Sequence, residues 1–109
     1  MTVTGEPGTL YNGVSDWLYE EEILGTSGTV FINPLATKMA YMSFNDSNVE
    51  LHTMKSFSHG GSHRGRDLKF RYPKAGSPNP AVSVYVQHLR EDGVSENIKV
   101  KPPPEIENM

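Results

Sequence analysis

The sequence predicts an all-β fold of short strands interrupted by one helical insertion. Composition and periodicity both point there. Hydrophobic residues make up only 36% of the 109 positions, while 10 Gly and 8 Pro cut the chain into short runs, a pattern that suits strands and turns better than packed helices. The best of those runs alternate with a period of two, the repeat of side chains that point to opposite faces of a strand.

Residues 16 to 24, "DWLYEEEIL", are the exception. Asp16 or Ser15 stands where it can cap a short helix, and carboxylates in the first turns are favoured by the unpaired backbone amides there. "TVFIN" (29–33) reads as a strand joined through Pro34 to Thr37, as a hairpin loop, to "KMAYMSF" (38–44). In the latter, Ala40, Met42 and Phe44 face one way and Met39, Tyr41 and Ser43 the other. Both faces are apolar, so this strand expects cover on each side. "VELHTMKSF" (49–57) follows the turn "NDSN", and "LKFRY" (68–72) follows the glycine-rich "HGGSHRGRD". In "PAVSVYVQHL" Val82, Val84 and Val86 alternate with Ser83, Tyr85 and Gln87, the pattern of a half-buried strand. "ENIKVK" (96–101) is matched to pair with 82–88 across "REDGVS". The tail "KPPPEIENM" cannot extend a ladder, because consecutive prolines have no N–H to donate; it reads as a linker. About four strands between turns suit one blade of a propeller or a small sandwich.

Several function classes recede on composition. The formal charge of -3, from 13 acidic and 10 basic residues scattered along the chain, gives no electrostatic footprint for nucleic acid or an anionic membrane. Without cysteine there is neither a disulfide framework nor a thiolate metal site. "MTVTGEPGTL" lacks the basic and apolar regions of a signal peptide. No G-x-S-x-G elbow is present; "GGSHRG" (60–65) comes nearest, and its second glycine falls one residue late. His59 and His63 stand four apart, but the glycines at 60 and 61 oppose the helix that would align them as ligands. His52 and His88 fall in strand patterns, where a satisfied or surface role is the ordinary one. No cofactor is expected.

Two motifs remain. Asn45-Asp46-Ser47 is an N-glycosylation sequon in a turn after a strand, and equally an Asn/Asp turn that bonds its own backbone. The run Glu20-Glu21-Glu22, flanked by Trp17, Leu18 and Ile23, sets like charges beside apolar bulk. It reads either as a solvated helix end or as a receptor for a cation. An α-amino group, with a pKa of about 7.7 to 8.0, is largely protonated at neutral pH and offers three donors. Two carboxylates can accept two of them through charge-assisted bonds while the cation offsets their mutual repulsion. Neighbouring side chains converge on one ammonium only from a short or irregular helical turn. On that reading Trp17, Leu18 and Ile23 anchor the turn.

"YNGVSDWLYEEEIL" (11–24), "FNDSNVEL" (44–51) and "YPKAGSPNP" (72–80) resemble, in order and spacing, successive segments of the β-propeller domain of the dipeptidyl peptidase IV family, in the prolyl oligopeptidase superfamily. The likeness runs from about Leu10 to Pro104. It implies that residues 1–109 are part of an N-terminal eight-bladed β-propeller, about one to one and a half blades, which caps an α/β-hydrolase domain not contained in these residues. The acidic motif would lie on a short helix reaching into the central cavity.

In that family two adjacent glutamates hold the free amine of a peptide substrate, and position by position they fall on Glu21 and Glu22. Glu20 is then a neighbour. The serine, aspartate and histidine of the family belong to the hydrolase domain and match no position here, so this segment alone should cleave nothing. The resemblance also implies an extracellular or secreted parent protein, glycosylation at Asn45 and pairing of two subunits. One departure is clear: "VFINPLAT" (30–37) replaces the family's Trp-Trp-Ser-Pro-Asp-Gly hairpin. Family members that lack the nucleophile and serve as potassium-channel auxiliary subunits keep an acidic triplet too, so the motif is compatible with either kind of parent. A free-standing β-rich binding module is the third possibility.

Overall fold

The computed structural model describes residues 8–56, 65–91 and 96–107. Its elements are β1 (Leu10–Asn12), a π-helical turn (Tyr19–Leu24), β2 (Val30–Ile32), β3 (Lys38–Asn45), β4 (Leu51–Ser56), β5 (Arg66–Arg71), β6 (Ala81–His88) and β7 (Asn97–Val100). His59 and His63 lie outside the described residues.

β3 is the spine of the sheet. On one side it pairs antiparallel with β6 along its whole length, from Lys38↔His88 to Asn45↔Ala81, and β6 in turn pairs with β7 from Val84↔Val100 to Gln87↔Asn97. On its other side β3 carries two strands end to end. β1 covers Ser43 to Asn45, and β2 covers Met39 to Tyr41. Met42, between them, accepts from Gly13 N (2.8 Å) through its carbonyl and donates to the Thr29 carbonyl (3.1 Å). Together β1 and β2 form a single edge strand that residues 13–29 interrupt. The sheet is thus a meander of four antiparallel rows, the unit from which propellers are built.

β4 and β5 form a separate two-stranded ladder, from Leu51↔Arg71 to Ser56↔Arg66. The sequence marked them as strands, and the structure adds that they leave the sheet as a hairpin between β3 and β6. β1 escaped the sequence reading, because a three-residue strand followed by glycine shows no periodicity. The expected pairing of 96–101 with 82–88 and the hairpin through 34–37 are both present.

Burial follows β3. Met39, Tyr41, Ser43 and Phe44 are buried, while Ala40 and Met42 are half-buried, so the strand with two apolar faces does receive cover on each. Tyr41 stacks on Tyr85 at 5.4 Å between centroids, and its hydroxyl accepts from Asn97 Nδ2 at 2.9 Å. The valine face of β6 departs from expectation: Val84 is exposed and Val82 and Val86 are only half-buried, since no second layer lies over them among the described residues. Phe31, Ile32, Ile98 and Val100 are exposed as well. The radius of gyration is 17.2 Å, against about 13 Å for a compact domain of this length. Such a slab has apolar faces made for neighbours.

The loop of the β2–β3 hairpin is closed by a side chain. Asn33 Oδ1 accepts from the backbone amides of Thr37 and Lys38, each at 2.9 Å, and Asn33 Nδ2 donates to Thr37 Oγ1 at 3.0 Å. Ala36 sits in the left-handed region at φ 54°, where a Cβ costs roughly 1–2 kcal/mol. Ala36→Gly should relieve that cost, less the roughly 0.4–1 kcal/mol of added unfolded-state entropy that glycine brings. In a full-length family chain carrying this segment, amide exchange over 33–38 is expected to slow about two- to fivefold, and Ala36→Val to accelerate it. Residues 1–109 taken alone are expected to aggregate or to unfold without a cooperative calorimetric peak; a sharp transition from soluble monomer would instead identify a self-sufficient module.

Candidate functional site

Residues 13–29 leave the edge strand and return to it through a narrow stem. Gly13, buried and at φ 74°, turns the chain out of β1 in a conformation that suits a residue without Cβ. Its carbonyl accepts from Thr29 N at 3.1 Å, and Ser15 N donates to the Ser27 carbonyl at 2.9 Å, with Val14 bridging Gly28 between them. Ser15 Oγ adds a bond to the Thr26 carbonyl at 2.6 Å. Of the two cap candidates, Asp16 is the one used: its Oδ1 accepts from Tyr19 N at 2.9 Å, and its carbonyl from Glu20 N at 2.9 Å.

The turn that follows is π-helical over Tyr19–Leu24 and ends at Gly25, in the left-handed conformation at φ 65°. A helix was expected here; its wider form is the new feature. Bonds of the i→i+5 type put more residues in each turn than the α-helical 3.6, so adjacent side chains diverge by less than 100°. Glu20, Glu21 and Glu22 occupy its first turn. Glu21 and Glu22 are exposed and Glu20 is half-buried.

The anchors differ from those expected. Trp17 is 51% exposed and Ile23 55%, so neither buries the turn. Trp17 meets the hairpin at Phe70, 6.2 Å between ring centroids. Leu18 is half-buried. The principal hold is Tyr19, whose ring packs at 4.9 Å on Phe44, a side chain with no exposed surface. The residue that meets β3 thus comes from inside the run and not from its ends.

A further residue joins the site from a distance. Tyr72, at the foot of β5, donates its hydroxyl to Glu22 Oε1 at 3.3 Å. Its backbone is fixed on both sides, by Tyr72 N to the Glu50 carbonyl at 3.1 Å and by His52 Nε2 at 2.7 Å from the Tyr72 carbonyl. Desolvation, then the charge of Glu22 and its hydrogen bond, then the charge of Glu21 raise the Tyr72 phenol above its ordinary 10.0. Nothing in the local pattern around Tyr72 signals this contact; only its place at the start of "YPKAGSPNP" singled the segment out. His52 is satisfied, as its strand position suggested. Asn45 is exposed at the end of β3, and its Oδ1 accepts from Ser47 N at 3.0 Å, the turn geometry expected of that motif. Among the described residues no three His, Asp or Glu converge as metal ligands would, and no helix is long and apolar enough to cross a membrane.

A four-row antiparallel meander whose edge strand is interrupted by an acidic turn defines a blade of the β-propeller class. Comparison with known proteins agrees. Residues 1–108 match the family described as "Dipeptidyl peptidase IV (DPP IV) N-terminal region". The chain is 37% identical to venom dipeptidyl peptidase 4 of Apis mellifera over 97% of its length, and 34% identical to dipeptidyl peptidase 4 of Felis catus over 94%. Inactive dipeptidyl peptidase 10 of Rattus norvegicus is also 34% identical, over 94%. In the crystal structure of Porphyromonas gingivalis dipeptidyl peptidase 4, a matching fold covers 94% of this chain with a TM-score of 0.78 at 24% identity. The chain belongs to the dipeptidyl peptidase IV family, as a segment of its N-terminal propeller region. It spans 14% of the length of the bee and cat relatives.

If Tyr72 lies against Glu22 as described, Glu22→Gln should bring its phenol back toward 10.0. Tyrosinate absorbance against pH, read as the difference from Tyr72→Phe, checks this. An unchanged midpoint would place the two groups apart.

Proposed function

We propose that this segment is the amine-recognition part of a dipeptidyl peptidase: Glu21 and Glu22 bind the free N-terminal ammonium of a peptide and so fix how many residues project toward a hydrolase domain elsewhere in the chain. The observation that carries the reading is the disposition of the two carboxylates. They are adjacent, exposed and on a π-helical turn whose root is fixed to β3 by a capped, hydrogen-bonded stem. A compact cation with three donors fits two such acceptors and offsets their repulsion. Tyr72 occupies one oxygen of Glu22, which restricts its rotamers and leaves its second oxygen for the ligand. Catalysis itself belongs to groups outside these residues; the contribution here is orientation, which converts binding energy into a productive position of the scissile bond. On this reading the parent protein works on the extracellular side or in secretions, with Asn45 as a glycan acceptor, and two subunits pair.

A second reading is supported by the similarity to the inactive rat relative, which is nearly as high as that to the bee peptidase. There the same turn would belong to a nucleophile-free family member of the channel-auxiliary kind. The residue at the nucleophile elbow of the full reading frame separates the two.

Each charge-assisted hydrogen bond is worth about 1.5–3 kcal/mol. Glu21→Ala or Glu22→Ala in a full-length active chain is therefore expected to lower kcat/KM for unblocked dipeptidyl substrates about 10- to 100-fold. N-acetylated substrates, which lack the ammonium, should be poor for the wild type and indifferent to either change. Undiminished turnover of unblocked substrates by both variants would overturn the assignment.

A further inference from the structure

Beneath the acidic turn lies a second pair of carboxyls that ammonium recognition does not use. Asp16, at the root of the turn, is 3% exposed, and Asp46, immediately after β3, is 1% exposed. Asp16 belongs to the insertion between β1 and β2, and Asp46 directly follows the strand that both of them flank. Asp46 N donates to the Thr9 carbonyl at 2.7 Å, and its own carbonyl accepts from Val49 N at 2.9 Å, so its backbone is held in place. Asp16 Oδ1 is occupied by the Tyr19 amide.

Among the described residues, Asp16 Oδ2 and Asp46 Oδ1 are buried with no donor, and Asp46 feels both the charge of Asp16 and a side-chain hydrogen bond to it. Two carboxylates cannot bond to one another, because each is acceptor only. Left ionised, they would be buried like charges with unmet acceptors, which is among the costliest arrangements a protein can hold. One proton resolves both problems: it removes a charge and supplies the missing donor.

We propose that Asp16 and Asp46 share one proton, and that this carboxyl–carboxylate bond fastens the root of the acidic turn to the end of β3, making both of them positioning residues for Glu21 and Glu22. The surroundings agree. Burial first, then the charge of Asp16 and the hydrogen bond to it, push Asp46 up from 3.8 to about 7, with only the Arg71 charge opposing. Arg71, from β5, directs Nε to the Gly8 carbonyl at 3.0 Å and Nη1 to the Val49 carbonyl at 2.7 Å, so these donors are spent on backbone. Tyr11 of β1 feels both aspartates and Tyr19 of the turn feels Asp16; burial and those charges raise both phenols, so both stay neutral through the same interval.

The sign of the pH dependence follows. A raised pKa in the folded state means that the shared proton stabilises the closed stem fully below the ordinary 3.8, and that this contribution is lost as pH rises through about 7. In Asp46→Asn the amide supplies the donor at every pH. The test is hydrogen exchange of residues 13–29 in a full-length family chain, wild type against D46N at matched pH. Protection of the wild type relative to D46N should fall at least about tenfold between roughly pH 5 and 7 and then level off. The ratio of wild-type to D46N KM for an unblocked dipeptidyl substrate should rise several-fold from about pH 6 to 8, the interval in which the folded pair titrates. If D46N does not fold, Asp16→Asn keeps the cap through its Oδ1 and brings its own amide donor, and gives the same comparison. A pH-independent protection ratio overturns the shared proton, as does failure of both amide variants to fold, since each supplies the donor that the proton is said to provide. The coupling to KM rests on the ammonium reading; if that reading alone fails, the exchange profile stands while Glu21→Ala and Glu22→Ala leave turnover unchanged.

Discussion

The site depends on a shared edge. β1 and β2 occupy one side of β3 in register, Asn12 opposite Ser43 and Val30 opposite Tyr41, so the chain between them must start and finish at almost the same place on the sheet. The Met42 amide and carbonyl take the two ends. Bringing the ends of a segment this long together costs little more entropy than closing a short loop would, and its stem can continue the ladder for two further residues. That geometry lets a turn dense in like charges be held rigidly without being buried.

Each contribution to the hold addresses a separate liability. Tyr19 on Phe44 supplies the apolar contact that the exposed Trp17 and Ile23 do not. Asp16 satisfies the amide of Tyr19 at the entrance to the turn, and Gly25 gives the left-handed residue that ends it. Tyr72 then reaches one of the two exposed acids from the far side of the hairpin. Repulsion among Glu20, Glu21 and Glu22 is left to water, which is tolerable because the scaffold beneath is fixed independently of them.

Much of the sheet was legible in the sequence because its signals are local. The alternation in 38–44 and 82–88 and the turn residues at 34–37 specify the β2–β3 hairpin and the strand next to it, and 96–101 pairs where its pattern suggests. What stayed hidden is non-local. Leu10–Asn12 becomes a strand only because β3 offers it an edge. β4 and β5 carry strand patterns that cannot say which sheet they join. The helix at 16–24 could be anticipated from Asp16 and the charges, but its width, its hold on Phe44 and its contact with Tyr72 arise from pairs that lie 25 to 50 residues apart. Asp46 is the clearest instance: in the sequence it is the middle of a sequon and a turn, and only the fold reveals it as a buried partner of Asp16. The proposed role of Glu21 and Glu22 comes from family resemblance, and the structure contributes their exposure and mounting.

The central claim is that a rigidly mounted pair of exposed acids receives the charged end of a peptide. Determining the structure of a full-length chain bearing this segment, with an unblocked peptide bound, tests it most directly. The account predicts the peptide's first nitrogen within hydrogen-bonding distance of both Glu21 and Glu22, about 2.7–2.9 Å. A ligand amine held by other groups, with both glutamates turned to solvent, would contradict it.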